Sequence, residues 1–261
     1  DIQIRIIKAL YEKNRNLVVG VEMFPITIQE TLNKWSIGIL TEEEFIRETQ
    51  WYINWNFNFN YYSEIFRFIK DHGIPLYALN APRELITKIR KEGWDALSEE
   101  EKKIVPKPDL ANEEHRTLIR ATFENLNMPP QMKGPGLDVM FDGLYQAQVS
   151  WDEVMAANSI RAWRKENKRV VVLAGSGHLL YNLGINRVVH EKNKQDFTTV
   201  ICVDIPSREE YVRVSRSLSD YVWGIPEEVK PAFPSFGLAF KKIKGLENLV
   251  LERKPVNGVA L

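Results

Sequence analysis

The stretch Leu17-Val18-Val19-Gly20-Val21-Glu22-Met23 decides how this chain folds. Its residues are apolar, and often β-branched, at almost every position, which is typical of a strand buried on both faces of a parallel sheet. Short apolar runs recur at 75–79, 169–174 and 198–204, and helical patterns separate them. The sequence therefore predicts an α/β fold with a mainly parallel sheet flanked by helices.

The segments between these strands predict helices of different kinds. Residues 2–13 have amphipathic spacing, Thr41-Glu42-Glu43-Glu44 is a capping box, and a long helix is predicted at about 137–166. The polar, proline-containing residues at about 93–136 predict a helical excursion outside the sheet. Residues 55–61 alternate with period two, so we expect part of this segment to be extended.

The composition shifts near the end of the chain. Residues 1–223 form the predicted α/β domain, and residues 224–235, with Pro226, Pro231 and Pro234, form a predicted linker. Residues 236–261 predict a short C-terminal β element with strands at 236–240 and 249–252.

Composition and charge exclude several classes of protein. The 261 residues contain 35 Lys plus Arg and 35 Asp plus Glu, and a net charge of zero argues against a nucleic-acid binder. The single cysteine, Cys202, excludes a disulfide framework and a cysteine zinc site. No apolar stretch reaches the length of a membrane span.

Polar residues follow three of the predicted strands. Glu22, Asn80-Ala81-Pro82-Arg83 and Gly175-Ser176-Gly177-His178 each stand at a strand's carboxyl end, where ligands of open parallel sheets bind. A carboxylate, a guanidinium and an imidazole would thus converge to hold a metal, act as acid and base, or bind a carboxylated ligand. In the alternative interpretation Glu22 is solvated or salt-bridged, and His178 caps a tight strand–helix turn.

Gly175-Ser176-Gly177-His178 does not complete a dinucleotide fingerprint. Two glycines after a strand allow a ligand to approach the backbone, and a following helix N-terminus favours an anion. The fingerprint needs glycine where Leu180 stands, so nucleotide binding is disfavoured.

Nine aromatic residues fall within 51–68, and they allow two interpretations. They fill the space between helices as core, or they face a flat ligand such as a porphyrin. Haem iron accepts a tyrosinate ligand, which makes Tyr62, Tyr61 and Tyr52 candidates, and Arg or Lys would meet the propionates. His72, His115 and His190 stand in polar surroundings and are predicted to be surface histidines.

The predicted long helix has one face that carries Gln148, Asp152 and Met155. Gln148 and Asp152 would hold a loop by hydrogen bonds. In the alternative interpretation Met155 is core, and Asp152 is a surface or supporting group.

Five short motifs in a fixed order resemble one known family. They are Val19-Gly20-Val21-Glu22-Met23-Phe24; Trp35 with Gly38; residues 62–68 followed by Gly73-Ile74-Pro75 and Ala78-Leu79-Asn80-Ala81-Pro82; Ala147-Gln148 with Trp151-Asp152 and Met155-Ala156; and Ala174-Gly175-Ser176-Gly177-His178. Over about residues 1–223 the chain resembles the ChaN-like haem-binding, iron-regulated uptake lipoproteins, which belong to the wider Tiki, TraB and erythromycin-esterase-like superfamily.

The resemblance implies a non-enzymatic haem binder associated with bacterial iron and haem uptake. It implies a lipid-anchored protein on the periplasmic side of a membrane, including the outer membrane, with its anchor outside these residues. Haem is the expected ligand, and a second copy of the chain, in a homodimer, is a further expected partner. Tyr62 is the first candidate for the haem iron ligand and Tyr61 the second. The other expected haem-site residues are Trp51, Arg83, Gly175, Gly177 and His178.

The same superfamily implies an alternative function, a metal-dependent hydrolase. Such relatives use a Gly-Glu-x-His strand, a later strand glutamate and the glycine–histidine loop, and the last two would here be Glu22 and His178 with a divalent metal ion. The Gly-Glu-x-His strand is expected upstream of Asp1. Residues 236–238 with 254–260 are similar to the start of a PDZ domain, so a scaffold that displays a peptide-binding module is a third hypothesis.

Overall fold

A three-stranded parallel sheet in the order β2-β1-β3 organises the chain. The computed structural model describes residues 2–124, 136–206, 211–227 and, for the backbone alone, 249–252. The strands are β1 (Leu17–Pro25), β2 (Leu76–Asn80), β3 (Arg169–Leu173), β4 (Val200–Ile205), β5 (Tyr211–Val214), β6 (Tyr221–Pro226) and β7 (Leu249–Glu252). The helices are α1 (Ile2–Lys13), α2 (Gln29–Ser36), α3 (Glu42–Glu48), α4 (Trp51–Asn54), α5 (Ser63–Asp71), α6 (Arg83–Glu92), α7 (Glu99–Ile104), α8 (Glu113–Glu124), α9 (Leu137–Glu166) and α10 (Ile185–Asn193).

β1 is the central strand because it is apolar on both faces. Val19 pairs with Leu76 of β2 and with Val171 of β3, and both pairings are parallel. Val18 and Val21 are fully buried, as expected for a strand covered on both sides. The expectation of an α/β fold with a parallel sheet is confirmed, and the carboxyl ends of β1, β2 and β3 lie together.

One face of the sheet is covered by a core of aromatic rings. Phe45, Trp51 and Phe66 are buried there against Phe24 of β1, and Trp35 packs on Phe45. The core interpretation of the aromatic segment therefore holds for its buried rings.

The extended conformation expected within 55–61 is wrong. Helix α4 precedes these residues, and a short 3-10 turn covers Phe59–Tyr61. Trp55, Phe57 and Phe59 alternate with asparagines, and this pattern indicated a strand. Burial of Phe59 and Trp51 instead favours two tight turns.

The long helix α9 covers the other face. Its residues Met155 and Ala156 are buried against Leu79 of β2 and against Ile185 and Val188 of α10. The predicted excursion is helical over α7 and α8, and α8 packs on α9 through Ile119, Phe123 and Phe141; residues 125–135 lie outside the described part of the chain.

The fourth predicted strand was expected in the main sheet, and that expectation is wrong. β4 pairs in parallel with β6 in a separate two-stranded sheet. β6 was missed because Pro226 suggested a linker, yet proline is tolerated at a strand's end.

The predicted strand at 249–252 is confirmed, and its backbone pairs antiparallel with β5. The predicted strand at 236–240, most of the predicted linker and the PDZ-like resemblance fall outside the described residues. Within the described residues, no helix combines the length and apolarity needed to cross a bilayer.

Candidate functional site

Glu22, near the carboxyl end of β1, brings the ends of the three strands together. Its Oε2 accepts a hydrogen bond from the backbone N–H of Gly175 at 2.5 Å, and its Oε1 lies 3.4 Å from His178 Nε2. The Asn80 side-chain amide donates to the backbone carbonyl of Glu22 at 3.0 Å. The expected convergence of Glu22 with the glycine–histidine loop is therefore present. Of the two alternatives for Glu22, the solvated one is wrong, and the salt-bridged one holds through His178.

Helix α9 holds the imidazole of His178 from the other side. His178 Nδ1 donates to Asp152 Oδ1 at 2.6 Å, and the Gln148 side-chain amide contacts the same nitrogen at 2.9 Å. The prediction that Asp152 holds this loop by a hydrogen bond is thus confirmed, whereas the Gln148 amide nitrogen lies beside an Nδ1 that is already protonated. Asp152 is 1% exposed and His178 is 8% exposed, so water screens their interaction little.

Opposing effects set the protonation states of His178, Glu22 and Asp152. Burial lowers the pKa of His178, but Asp152 and Glu22 outweigh it and raise that pKa to about 10. Burial acts to raise the pKa of Glu22, yet His178 and the Gly175 N–H bring it below its usual value. Burial raises the pKa of Asp152 to about 6 against the pull of His178. At neutral pH an imidazolium therefore lies between two carboxylates.

His115 is a member of this cluster that was predicted to lie on the surface, and that prediction is wrong. It is 1% exposed, and its Nε2 lies 3.7 Å from Asp152 Oδ2. Burial, with the nearby Arg187 and His178 charges, lowers the pKa of His115 to about 4. The missed signal was helical spacing, since His115, Leu118 and Ile119 form the buried stripe of α8.

Trp51 lies in the core and lines no accessible surface. It is fully buried, its indole N–H donates to the Phe57 carbonyl at 2.6 Å, and its ring contacts that of Tyr62 at 5.3 Å. Trp51 was expected among the haem-contacting residues, but its position is that of a support behind Tyr62.

Tyr62 is half-buried between two indoles near the end of β1. Burial raises the pKa of its hydroxyl more than the Trp55 indole N–H lowers it, and the charge of Glu22 adds to the rise. The Trp55 ring lies 6.3 Å from the Tyr62 ring, and the buried Trp55 indole N–H acts on the Tyr62 hydroxyl.

The same segment exposes an aromatic face, which we define by four residues. Its members and their exposed fractions are Tyr52 (55%), Ile53 (67%), Phe57 (42%) and Tyr61 (45%). All four fall within residues 52–61, and exposed apolar side chains that form a contiguous patch are typical of interaction sites.

Two other expected site residues are placed differently. Arg83 is exposed at the first residue of α6, where it lines an open pocket with Lys88 and Lys91, and the described contacts do not join it to Glu22 or His178. A Cβ at Gly177 would meet no atom within 4 Å, so no close approach there requires glycine. Gly175, in contrast, uses its backbone N–H to bind Glu22.

The described residues do not supply a metal-binding set. No group of three or more His, Cys, Asp or Glu side chains in the described ranges has an arrangement that would hold a metal ion. The protonated His178 has no lone pair to offer, and Asp152 Oδ1 and Glu22 Oε2 already accept hydrogen bonds. The arrangement of these described side chains can move a proton among Glu22, His178 and Asp152.

Comparison with known proteins assigns the family. The family model described as "Haem-binding uptake, Tiki superfamily, ChaN" matches residues 1–189. The chain belongs to the ChaN family. A solved structure described as "Cofacial heme binding to ChaN of Campylobacter jejuni" has the same fold, with a TM-score of 0.61, 21% identity, and coverage of 84% of this chain and 79% of that chain.

Two further similarities accompany this ChaN-family match. An erythromycin esterase mutant in its open conformation superposes with a TM-score of 0.43 at 11% identity, over 77% of this chain and 65% of that chain. The curated Protein RETICULATA-RELATED 5, chloroplastic, of Arabidopsis thaliana is 23% identical over 226 residues, or 83% of this chain. The chain spans 30% of the length of that curated relative.

Proposed function

We propose that this ChaN-family protein binds haem on the exposed aromatic face, with Tyr62 as the iron ligand. The observation that carries the proposal is the concentration of exposed aromatic and apolar side chains directly beside a half-buried tyrosine. A porphyrin is a large apolar plane and gains from burial against such a surface. The family is described as haem-binding, and the solved Campylobacter jejuni structure is described as cofacial haem binding to ChaN.

The residues around Tyr62 fit a phenolate ligand. The Trp51 and Trp55 rings hold the Tyr62 ring in one orientation, and the Trp55 indole N–H lowers the pKa of the Tyr62 hydroxyl, which favours the phenolate form. Burial opposes that form, so the phenolate needs a cation beside it, which ferric iron supplies when haem binds. Tyr61, next along the chain, is more exposed and is the second candidate.

A hemin titration followed by visible absorption tests the proposal. The wild-type protein should give a saturable Soret shift, and Tyr62→Phe should weaken binding at least tenfold and change the spectrum. Tyr61→Phe should have a smaller effect. Tyr221→Phe, which changes a 52% exposed tyrosine on β6, is the matched control and should behave as wild type.

Two results would reject this assignment. An unchanged Tyr62→Phe spectrum with a changed Tyr61→Phe spectrum would make Tyr61 the ligand. No Soret shift in the wild type would reject haem binding by these residues.

A homodimer is the second part of the proposal. The exposed aromatic face is open to solvent, and a second copy would cover the outer side of a haem seated on it. Light scattering with and without hemin should then show a doubling of mass, and Tyr52→Ser with Phe57→Ser should prevent it. A monomer with hemin bound would reject the dimer.

A role in haem or iron uptake and the cellular location are further proposals. The family description names uptake, the resemblance implies a lipid-anchored periplasmic protein, and the curated plant relative is named as chloroplastic. A fluorescent fusion to the full-length natural protein, with a haem-limited growth assay of a deletion strain, tests both. Plastid fluorescence would reject the periplasmic location.

Acid–base hydrolysis is the second candidate function, and it rests on Glu22, His178 and Asp152. A histidine that is oriented by a buried carboxylate and touches a second carboxylate can deliver or accept a proton at a bound substrate. A panel of chromogenic esters tests the idea with Glu22→Gln and His178→Ala. Hydrolysis that survives both substitutions would end this candidate, and Tyr61→Phe, which leaves the cluster intact, should retain any activity.

A further inference from the structure

Two buried polar atoms face each other behind the Glu22–His178 pair. His115 Nε2 on α8 and Asp152 Oδ2 on α9 are 3.7 Å apart, and neither has a hydrogen-bond partner among the described residues. A buried polar atom left without a partner costs about 1–3 kcal/mol. Closing the distance by about 0.7 Å would satisfy both atoms at once.

We propose that His115 is a positioning residue, whose Nε2–H donates to Asp152 Oδ2 and fixes the carboxylate that orients His178. The four side chains Glu22, His178, Asp152 and His115 then form one continuous hydrogen-bonded chain from the end of β1 to α8. The inference deepens the acid–base candidate and takes its functional meaning from it.

The donor must be a neutral histidine in one tautomer. Asp152 Oδ1 is already occupied by His178, so only Oδ2 is open to His115. Burial and the positive charges of His178 and Arg187 keep His115 uncharged at neutral pH, and Arg187 itself pairs with Asp109 and Glu191. A neutral donor stabilises ionised Asp152 without a second cation beside His178.

The surroundings of His115 hold its ring in place. The Asn112 side chain accepts from the His115 backbone N–H at 2.8 Å, and the Asn112 carbonyl accepts from the Tyr145 hydroxyl at 3.1 Å. The Tyr145 ring meets the imidazole edge-to-face at 5.7 Å. These contacts therefore join helix α8 of the excursion to α9 at His115, the residue that would position Asp152.

Nitrogen-15 NMR of the wild-type protein with labelled histidine tests the tautomer. His115 should be neutral at pH 7 with its proton on Nε2, while His178 should carry protons on both nitrogens. His72→Gln and His190→Gln, at exposed positions, assign the remaining signals. A proton on Nδ1 of His115, or a charged His115, would overturn the proposal without any variant at the site.

Two substitutions test the action of His115 through Asp152. His115→Gln keeps an N–H donor near the position of Nε2, whereas His115→Phe fills the space without one. The His178 nitrogen shifts should stay close to wild type in His115→Gln and move in His115→Phe. Unmoved His178 shifts in both folded variants would overturn the proposal, and if His115→Phe fails to fold, the wild-type tautomer decides.

The outcomes separate this inference from the function it serves. An Nε2–H tautomer in a protein that hydrolyses nothing would keep the positioning role and remove the acid–base function. An Nδ1–H tautomer in a protein with Glu22-dependent hydrolysis would keep the acid–base function and remove the positioning role of His115.

Discussion

His178 Nδ1 lies 2.6 Å from Asp152 Oδ1, and this contact ties the loop after β3 to the middle of helix α9. The two residues are 26 positions apart, and both are buried. A buried charge is costly unless it is paired, so each residue depends on the other. The glycine–histidine loop therefore has a fixed position before any ligand arrives.

Stability should fall at alkaline pH because of His178. Its folded-state pKa is raised from 6.5 to about 10, so its contribution is complete below pH 6.5 and is lost as the pH rises through about 10. His178→Gln should lower the free energy of unfolding at pH 7 by about 2 kcal/mol and should flatten the alkaline loss. Urea titrations from pH 6 to 10 measure this. If the free energy of unfolding fell equally with rising pH in both proteins, this prediction would be contradicted.

His115 should act in the opposite pH direction. Its folded-state pKa is lowered from 6.5 to about 4, so its protonation favours the unfolded chain. Its contribution is complete above pH 6.5 and is lost as the pH falls towards 4, by roughly 1–3 kcal/mol. His115→Gln should remove that part of the acid sensitivity, whereas His72→Gln, at an exposed position, should not. Urea midpoints from pH 4 to 7 provide the comparison.

Gly184 should tolerate no side chain, in contrast to Gly177. A Cβ at Gly184 would lie 2.1 Å from the His178 carbonyl oxygen, whereas a Cβ at Gly177 would meet nothing within 4 Å. Gly184→Ala should therefore destabilise the fold by about 1–3 kcal/mol and disturb the His178 environment. Gly177→Ala should stay near wild type. Thermal unfolding of the two variants checks the pair, and similar losses in both would contradict the close approach of Gly184 to His178.

Trp51 and Tyr52 are neighbours in the sequence with opposite roles. Trp51→Ala should cost about 3–5 kcal/mol, because the fully buried ring contacts Phe24, Phe59 and Phe66. Tyr52→Ala should cost under about 0.5 kcal/mol, since the side chain is 55% exposed. Denaturation measures stability, and a hemin titration of Tyr52→Ala should show weaker binding. A large stability loss in Tyr52→Ala would contradict the description of the exposed aromatic face.

Much of the local structure could be predicted from the sequence, because it depends on interactions between neighbouring residues. The apolar β1 run, the Thr41 capping box and the spacing of α9 each act within a few residues, and all three were predicted correctly. The position of Glu22 at a strand end near Gly175 followed from the rule that parallel strands end at one edge. The same local signals failed at 55–61, where burial of Trp51 and Phe59 outweighs period-two alternation.

The sequence by itself determined β1, β2, β3 and the long helix α9, and it singled out Glu22 and His178, since each has a local pattern or a place near a strand end. Only the tertiary structure decided that His115 joins Asp152, that Arg83 does not reach the site, and that β4 pairs with β6 outside the main sheet. Those outcomes depend on which helix or strand lies against which, and contacts between segments distant in sequence leave no short-range pattern to read. Asp152 depends on both kinds of information. Its place on one face of the helix was predicted from spacing, but its burial between two histidines follows only from the packed fold.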